Sequence, residues 1–420
     1  MEGGRGQRAL RRVRALWDGF SLADPLQECS AIAHRGRVTE QGPGRLPLPP
    51  PSSPERHGGN RQAVARRLGC RPAQLLDASA SLVPFGPPPA LVRRLRRGLA
   101  GSALRDYPDR GYHDLRAALA SHHGLVPDWV LPGNGAAELF TWAARDAVAA
   151  GVSRLPAPGF ADYARALACW GGAARPLPLP LVWGDAFPQP FPDPTSGPDA
   201  GSNPGAALWL TNPHNPTGQL WSRASLEPLL EQFALVIVDE AFLPLVPGGE
   251  RQSLVPLLAA CSGLVVIRSL TKLLGIAGLR LGYALAAPER LARWARWRDP
   301  WPVNGLAALA GTALLADTAG FARWQARVQD WVGREGPWLA RQLAAFPGLR
   351  PLPSAANFLL VRGEGELEPL RLALETRQRV LVRDCRSFQR LGPEWLRLAL
   401  LDRRGNRRLL KALGREVGSV

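Results

Sequence analysis

Three stretches of this chain share one plan. AALWLTNPHNPTG (206–218), FALVIVDEAF (233–242) and GLVVIRSLTK (263–272) each run through consecutive apolar residues and end in polar side chains. Such runs read as strands buried on both faces, the kind found in parallel sheets covered by helices. The polar groups, Asn212 and Asn215, then Asp239, then Ser269 and Lys272, all stand at the carboxyl end of a run. Ligands bind outside that edge of an open parallel sheet, so three separate segments converge on one crevice. Amphipathic stretches such as YHDLRAALASHHG and AELFTWAARDAVAAG lie between apolar runs, the pattern of an α/β fold. Only residues 273–278 separate Lys272 from the next apolar run, LRLGYALAA, too few for a parallel crossover of about a dozen residues. That next strand is expected to be antiparallel in an otherwise mostly parallel central sheet.

Lys272 is one of two lysines, for the Lys+Arg total of 52 less Lys272 and Lys411 leaves 50 arginines. Charge is evidently supplied by arginine. A guanidinium keeps its proton and is a poor nucleophile, whereas a buried amine can lose its proton and condense with a carbonyl. Lys272 is therefore expected to act chemically, while Lys411, in RRLLKALGRE, reads as part of a solvated helix. The stretch LPGNGAAELF adds an anion site: Gly133 and Gly135 allow close backbone approach, and a helix starting near Ala136 aims unpaired amides at a phosphate. Ser269 and Arg280 would supply a hydroxyl and a guanidinium fork to the same anion. A cofactor offering a carbonyl to Lys272, a phosphate to this turn and a basic nitrogen to Asp239 is pyridoxal 5′-phosphate.

At 420 residues and 46% apolar content the chain can bury a sizeable core and divide into two domains. Its formal charge of +17 is spread through stretches such as ALVRRLRRGLA without a DNA- or RNA-binding signature, so no nucleic-acid partner is expected. No apolar run approaches the roughly 18 residues of a membrane helix, and MEGGRGQRALRRVRALW lacks a secretory apolar segment. No membrane association and a cytoplasmic setting are expected. Five cysteines with no CxxC pair fit reduced thiols, and no metal site is expected. Residues 1–56, rich in Arg, Gly and Pro, read as a disordered extension, and the Pro-rich stretch 176–205 as a long surface loop.

NPTG at 215–218, DEAF at 239–242, and Ser269-x-x-Lys272 followed by Arg280 together resemble the fold-type-I pyridoxal-phosphate enzymes. Within them the chain resembles the branch of histidinol-phosphate aminotransferases and threonine-phosphate decarboxylases over about residues 57–402. The expected organisation is a large cofactor-binding domain (96–302) and a smaller C-terminal α/β domain (303–420), which the N-terminal segment 57–95 joins. The resemblance implies that Lys272 bonds the cofactor carbonyl, Asp239 pairs with the ring nitrogen and Asn215 with the ring hydroxyl. Ser269, Arg280 and the amides of Ala136 and Ala137 would hold the phosphate. Phe160 resembles the aromatic that stacks on the ring, and Tyr107 the tyrosine that reaches a neighbouring subunit's phosphate, which implies a homodimer. Many aminotransferases carry Tyr where this chain has Phe242, and its loss leans toward the decarboxylases.

The substrate follows from the same resemblance. HGGN (57–60) and ASASLVPFGPP (78–88) resemble the amino-terminal segment of threonine-phosphate decarboxylases, where His57 and Gly58 would approach the substrate phosphate. Arg397 would take the substrate carboxylate and Arg383 the phosphate, with Asn357 beside them. Decarboxylation of threonine phosphate, giving aminopropanol phosphate for the cobamide nucleotide loop, is the reading implied; transamination of histidinol phosphate is the alternative. A transcriptional regulator with an aminotransferase-like domain is a third reading, against which residues 1–56 lack the periodicity of a winged-helix module.

Overall fold

The computed structural model describes residues 57–194 and 206–417. The expected disordered extension lies outside the described residues, as does 195–205 of the expected loop. In chain order the strands are β1 (Leu76–Ala78), β2 (Val130–Asn134), β3 (Ser153–Ala157), β4 (Ala174–Pro178), β5 (Ala207–Thr211), β6 (Leu235–Asp239), β7 (Leu264–Ser269), β8 (Leu281–Ala286), β9 (Leu349–Pro351), β10 (Phe358–Gly363), β11 (Val380–Asp384) and β12 (Trp395–Ala399). β2 to β8 make a seven-stranded sheet in the order β2-β8-β7-β6-β5-β3-β4. Its β4, β3, β5, β6 and β7 pair in parallel, and β8 runs against both of its neighbours, β7 and β2. The short link after Lys272 thus does what its length requires: the helix Leu270–Leu274 ends at Gly275 in a left-handed conformation (φ +65°), and one more turn delivers the chain into β8.

Burial on both faces explains the unbroken apolar runs. Val236, Val238 and Val266 point into a core with the helices His113–His123, Gly305–Ala316 and Thr318–Leu343. Ile237, Val265 and Ile267 point the other way, against Ala136–Ala150, Ala161–Ala168 and Pro288–Trp297. Each such side chain contributes about 1.5–3 kcal/mol by leaving water. Where the runs end, the same alternation sorts polar residues. Asp239 faces the ligand side, whereas Glu240, 0% exposed, turns away to meet the buried guanidinium of Arg268 at 2.6 Å. Arg268 also forks onto both carboxylate oxygens of Glu250 at 2.8 and 2.9 Å.

One expectation needs correction: the Pro-rich stretch is not loop from its start, because Pro176 and Pro178 lie in β4, paired in parallel with β3. β4 is the sheet edge, where a residue lacking an N–H leaves no partner unpaired. A second sheet has the order β1-β11-β12-β10-β9, with β1 parallel to β11 and the other pairs antiparallel. Among the described residues no single helix is long and apolar enough to cross a membrane.

Candidate active site

The carboxyl ends of β2, β5, β6 and β7 open onto a cavity of about 200 Å³ that the second sheet and the segment at His57 complete. At one end the helix Ala136–Ala150 begins after Gly135 with no side chain capping it, so its first amides point at the cavity. Gly135 has φ +73°, and a Cβ there would lie 2.4 Å from Nη2 of Arg280, so the guanidinium rests directly on the glycine turn. Ser269 caps the helix Leu270–Leu274, and Ala136, Ala137, Ser269 and Arg280 all line this end. Aligned helix amides, a hydroxyl and a guanidinium make a phosphate cradle.

In the middle of the cavity Lys272 is half-buried, its ammonium 5.6 Å from the centre of the Phe242 ring. Burial lowers its pKa to about 8, helped by Arg397 and Arg280 and opposed by Asp239. Asp239 accepts hydrogen bonds from the Tyr163 hydroxyl at 2.8 Å and the Ala241 amide at 2.9 Å. Burial nonetheless raises its carboxyl to about 6, the bonds from Ala241 and Tyr163 pulling the other way. A carboxylate held in so dry a place is short of a cation. A protonated ring nitrogen supplies one, which is why this donor set fits pyridoxal phosphate. Phe160 lines the same space, packed edge-on to His57 with ring centres 5.6 Å apart.

The far end is basic. Nη1 of Arg397 donates to Oδ1 of Asn215 at 2.5 Å and its Nη2 to the Ser79 carbonyl at 3.2 Å, while its buried Nε has no partner. Burial depresses Arg397 to about 10, with Arg383 pushing the same way. Arg383 donates to the Asp384 carbonyl at 2.8 Å and to the Ser387 hydroxyl at 2.5 Å. The segment at His57 closes over this end: the Gly59 amide donates to Ser79 Oγ at 2.9 Å, and a Cβ on Gly58 would sit 2.2 Å from the Ser79 carbonyl oxygen. Only glycine fits at position 58.

The structure therefore brings together His57, Gly58, Ala136, Ala137, Phe160, Asn215, Asp239, Ser269, Lys272, Arg280, Arg383 and Arg397. One residue expected beside the arginines lies elsewhere, and Tyr107, expected at a neighbouring subunit's phosphate, stands outside this cavity. Asn357 is 0% exposed, with both side-chain amide atoms unpartnered, and does not line the cavity. The pleat accounts for this: its neighbour Phe358 turns toward Arg397, 4.9 Å from ring centre to guanidinium, so Asn357 turns away. Tyr107 is 78% exposed and stacks on Trp301 outside the cavity. Ser79, Ser81, Thr271, Tyr163 and Phe388 were not singled out from the sequence, though the first four line the cavity or bond Asp239 within or beside quoted motifs. Phe388 carried no signal, since it lies in a loop.

Fold and cavity together define a pyridoxal-phosphate enzyme of fold type I. The model of the family "Aminotransferase class I and II" matches residues 74–413. The threonine-phosphate decarboxylase of Salmonella typhimurium is 37% identical over 371 residues, covering 85% of this chain and 95% of that protein. The histidinol-phosphate aminotransferase of Symbiobacterium thermophilum is 34% identical, covering 84% and 93%. In fold, the crystal structure of L-threonine-O-3-phosphate decarboxylase from Porphyromonas gingivalis superposes with a TM-score of 0.69 at 23% identity, covering 81% of this chain and 98% of that one. The chain belongs to the class I and II aminotransferase family.

Proposed function

We infer that the enzyme decarboxylates L-threonine O-3-phosphate to (R)-1-amino-2-propanol phosphate, a product suited to the nucleotide loop of cobamides. The observation that supports this reading is a second guanidinium at the far end of the cavity. Arg383 and Arg397 both line it, enough to take a phosphate and a carboxylate from one substrate. Histidinol phosphate brings only the phosphate, so on that alternative the second guanidinium would serve the carboxylate of the amino-acid co-substrate. The relative at 37% identity is named for this reaction.

Bound pyridoxal phosphate supplies an electron sink for the bond broken at Cα. Lys272 would hold its carbonyl carbon, Asp239 the proton on its ring nitrogen, Asn215 its ring hydroxyl, and Ser269, Arg280 and the amides of Ala136 and Ala137 its phosphate. Arg397 and Arg383 would clamp the substrate at both ends, which fixes which bond at Cα is broken. Closure by the His57 segment excludes water. As the carboxylate leaves as carbon dioxide, the Lys272 ammonium returns a proton to Cα. With a depressed pKa it can release that proton and recover it near neutrality.

Tyr107 and Leu104, 78% and 64% exposed, belong on this reading to the face between two subunits of a homodimer, Tyr107 reaching the partner's phosphate end. The test is incubation of the holoenzyme with L-threonine O-phosphate and, separately, with histidinol phosphate plus a keto acid. Carbon dioxide from the first, with the cofactor still in its aldehyde form, is expected. Conversion of the cofactor to its amine form by histidinol phosphate, without gas from threonine phosphate, would establish the aminotransferase instead.

A further inference from the structure

Arg383 and Arg397 are register partners on the antiparallel strands β11 and β12. Residues directly opposite in such a pair have Cβ atoms about 4.5–5.5 Å apart, and like charges there repel. Both are buried, 3% and 7% exposed. Arg397 is satisfied in part only by neutral oxygens, of Asn215 and Ser79. Like charges placed so must be held in position, and Arg397, with its buried Nε unpartnered, has room for an anion.

One side chain touches both guanidiniums. The loop 385–394 that joins β11 to β12 curls back on itself, with the Phe388 amide donating to the Cys385 carbonyl at 2.9 Å and the Leu391 amide to the Phe388 carbonyl at 3.1 Å. This places the Phe388 ring, 3% exposed, against both guanidiniums, 5.0 Å from Arg383 and 6.0 Å from Arg397. The remainder of the ring is fixed in a small apolar cluster with Leu352, Leu360 and Trp395. The negative face of an aromatic ring attracts a cation, more so when both are shielded from water. One ring thus contacts both guanidiniums.

We propose that Phe388 is a specificity-determining residue: by anchoring Arg383 and Arg397 at a fixed separation it selects substrates that carry two anionic groups a few bonds apart, a carboxylate and a phosphate on one short amino acid. This deepens the reading above and rests on it for the identity of the two anions. Without the ring each arginine can still swing to meet a single anion. What is lost is the spacing that lets one small molecule satisfy both.

Binding to the holoenzyme, read from the cofactor absorbance within the first milliseconds after rapid mixing and before turnover, tests this with three probes: L-threonine O-phosphate, L-threonine and O-phosphoethanolamine. Phe388→Leu and the longer, unbranched Phe388→Met should weaken the two-anion probe by about tenfold, between the values of an exposed and a fully desolvated cation–ring contact, and each one-anion probe by less than about threefold. Phe388→Tyr, which keeps the ring, should restore the affinity. In turnover the same variants should raise KM for threonine phosphate and also lower kcat, because the clamp sets which Cα bond breaks, while borohydride should still fix the cofactor at Lys272. Equal weakening of all three probes would reduce Phe388 to a packing residue and overturn the proposal, as would no weakening at all. If the wild type binds threonine phosphate but releases no carbon dioxide, the decarboxylase reading fails while the comparison of probes still decides the role of Phe388.

Discussion

The amine of Lys272 can be titrated against an internal standard. In the cofactor-free protein its pKa is lowered to about 8 from an ordinary 10.5, burial being the largest cause. At pH 7 about one amine in ten is then neutral instead of about one in three thousand, so Lys272 should be about 300-fold more available to an electrophile than an ordinary lysine of equal access. The chain supplies its own reference, because the only other lysine, Lys411, is exposed on the C-terminal helix Arg403–Glu416. Competitive labelling with a trace amine reagent, read by peptide mass spectrometry from pH 6 to 11, should give a midpoint near 8 for Lys272. Two substitutions then move that midpoint in opposite directions. Arg397→Gln removes a cation that disfavours the ammonium, so the midpoint rises; Asp239→Asn removes the carboxylate that favours it, so the midpoint falls. A midpoint at or above about 10, or both variants moving it the same way, would refute the electrostatic account of this site.

Three further outcomes are expected. Arg268→Met strands the fully buried Glu240 and should cost about 3–5 kcal/mol in urea unfolding, while adding Glu240→Gln should recover a large part of the loss. Gly135→Ala places a Cβ 2.4 Å from the Arg280 guanidinium at a left-handed φ of +73°, and should weaken cofactor binding at least about tenfold in a fluorescence titration while leaving the circular dichroism unchanged. Asp239 in the cofactor-free protein has its carboxyl raised to about 6 from 3.8, so between those values the folded state binds more protons than the unfolded one. The Asp239 contribution to cofactor-free stability should therefore fall by about 3 kcal/mol as pH rises from about 4 to about 6. Buried His123 and His214, whose imidazoles are lowered to about 2 and about 3, contribute the opposite slope, so the difference between wild type and Asp239→Asn in pH-dependent denaturation is what isolates it.

How much of this was legible beforehand depended on whether a residue stood in a pattern. Asn215, Asp239, Ser269 and Lys272 each follow an apolar run, so one rule about sheet edges placed all four, and the length of the link after Lys272 placed β8. Arg383 and Arg397 were identified through a family motif, but their facing positions depend on the register of β11 with β12, which no single strand encodes. Phe388 was invisible because loops lack periodicity, and its position comes from the way 385–391 folds back on itself. Asn357 was misplaced by one step of a pleat: its motif is in the right neighbourhood, and the neighbouring residue faces Arg397 instead. β4 was hidden by Pro176 and Pro178, which break interior strands and are tolerated at an edge.

The opposed faces of Asp239 and Glu240, and of Arg268 and Ser269, give adjacent codons different genetic fates. A lesion at 240 or 268 harms the protein by lowering its stability, so a second change anywhere that restores a few kcal/mol can compensate it. A lesion at 239 or 272 removes a group from the cavity and leaves nothing for added stability to repair. A suppressor screen begun from each of these four positions should therefore yield scattered, distant revertants for 240 and 268. For 239 and 272 it should return little beyond true reversion.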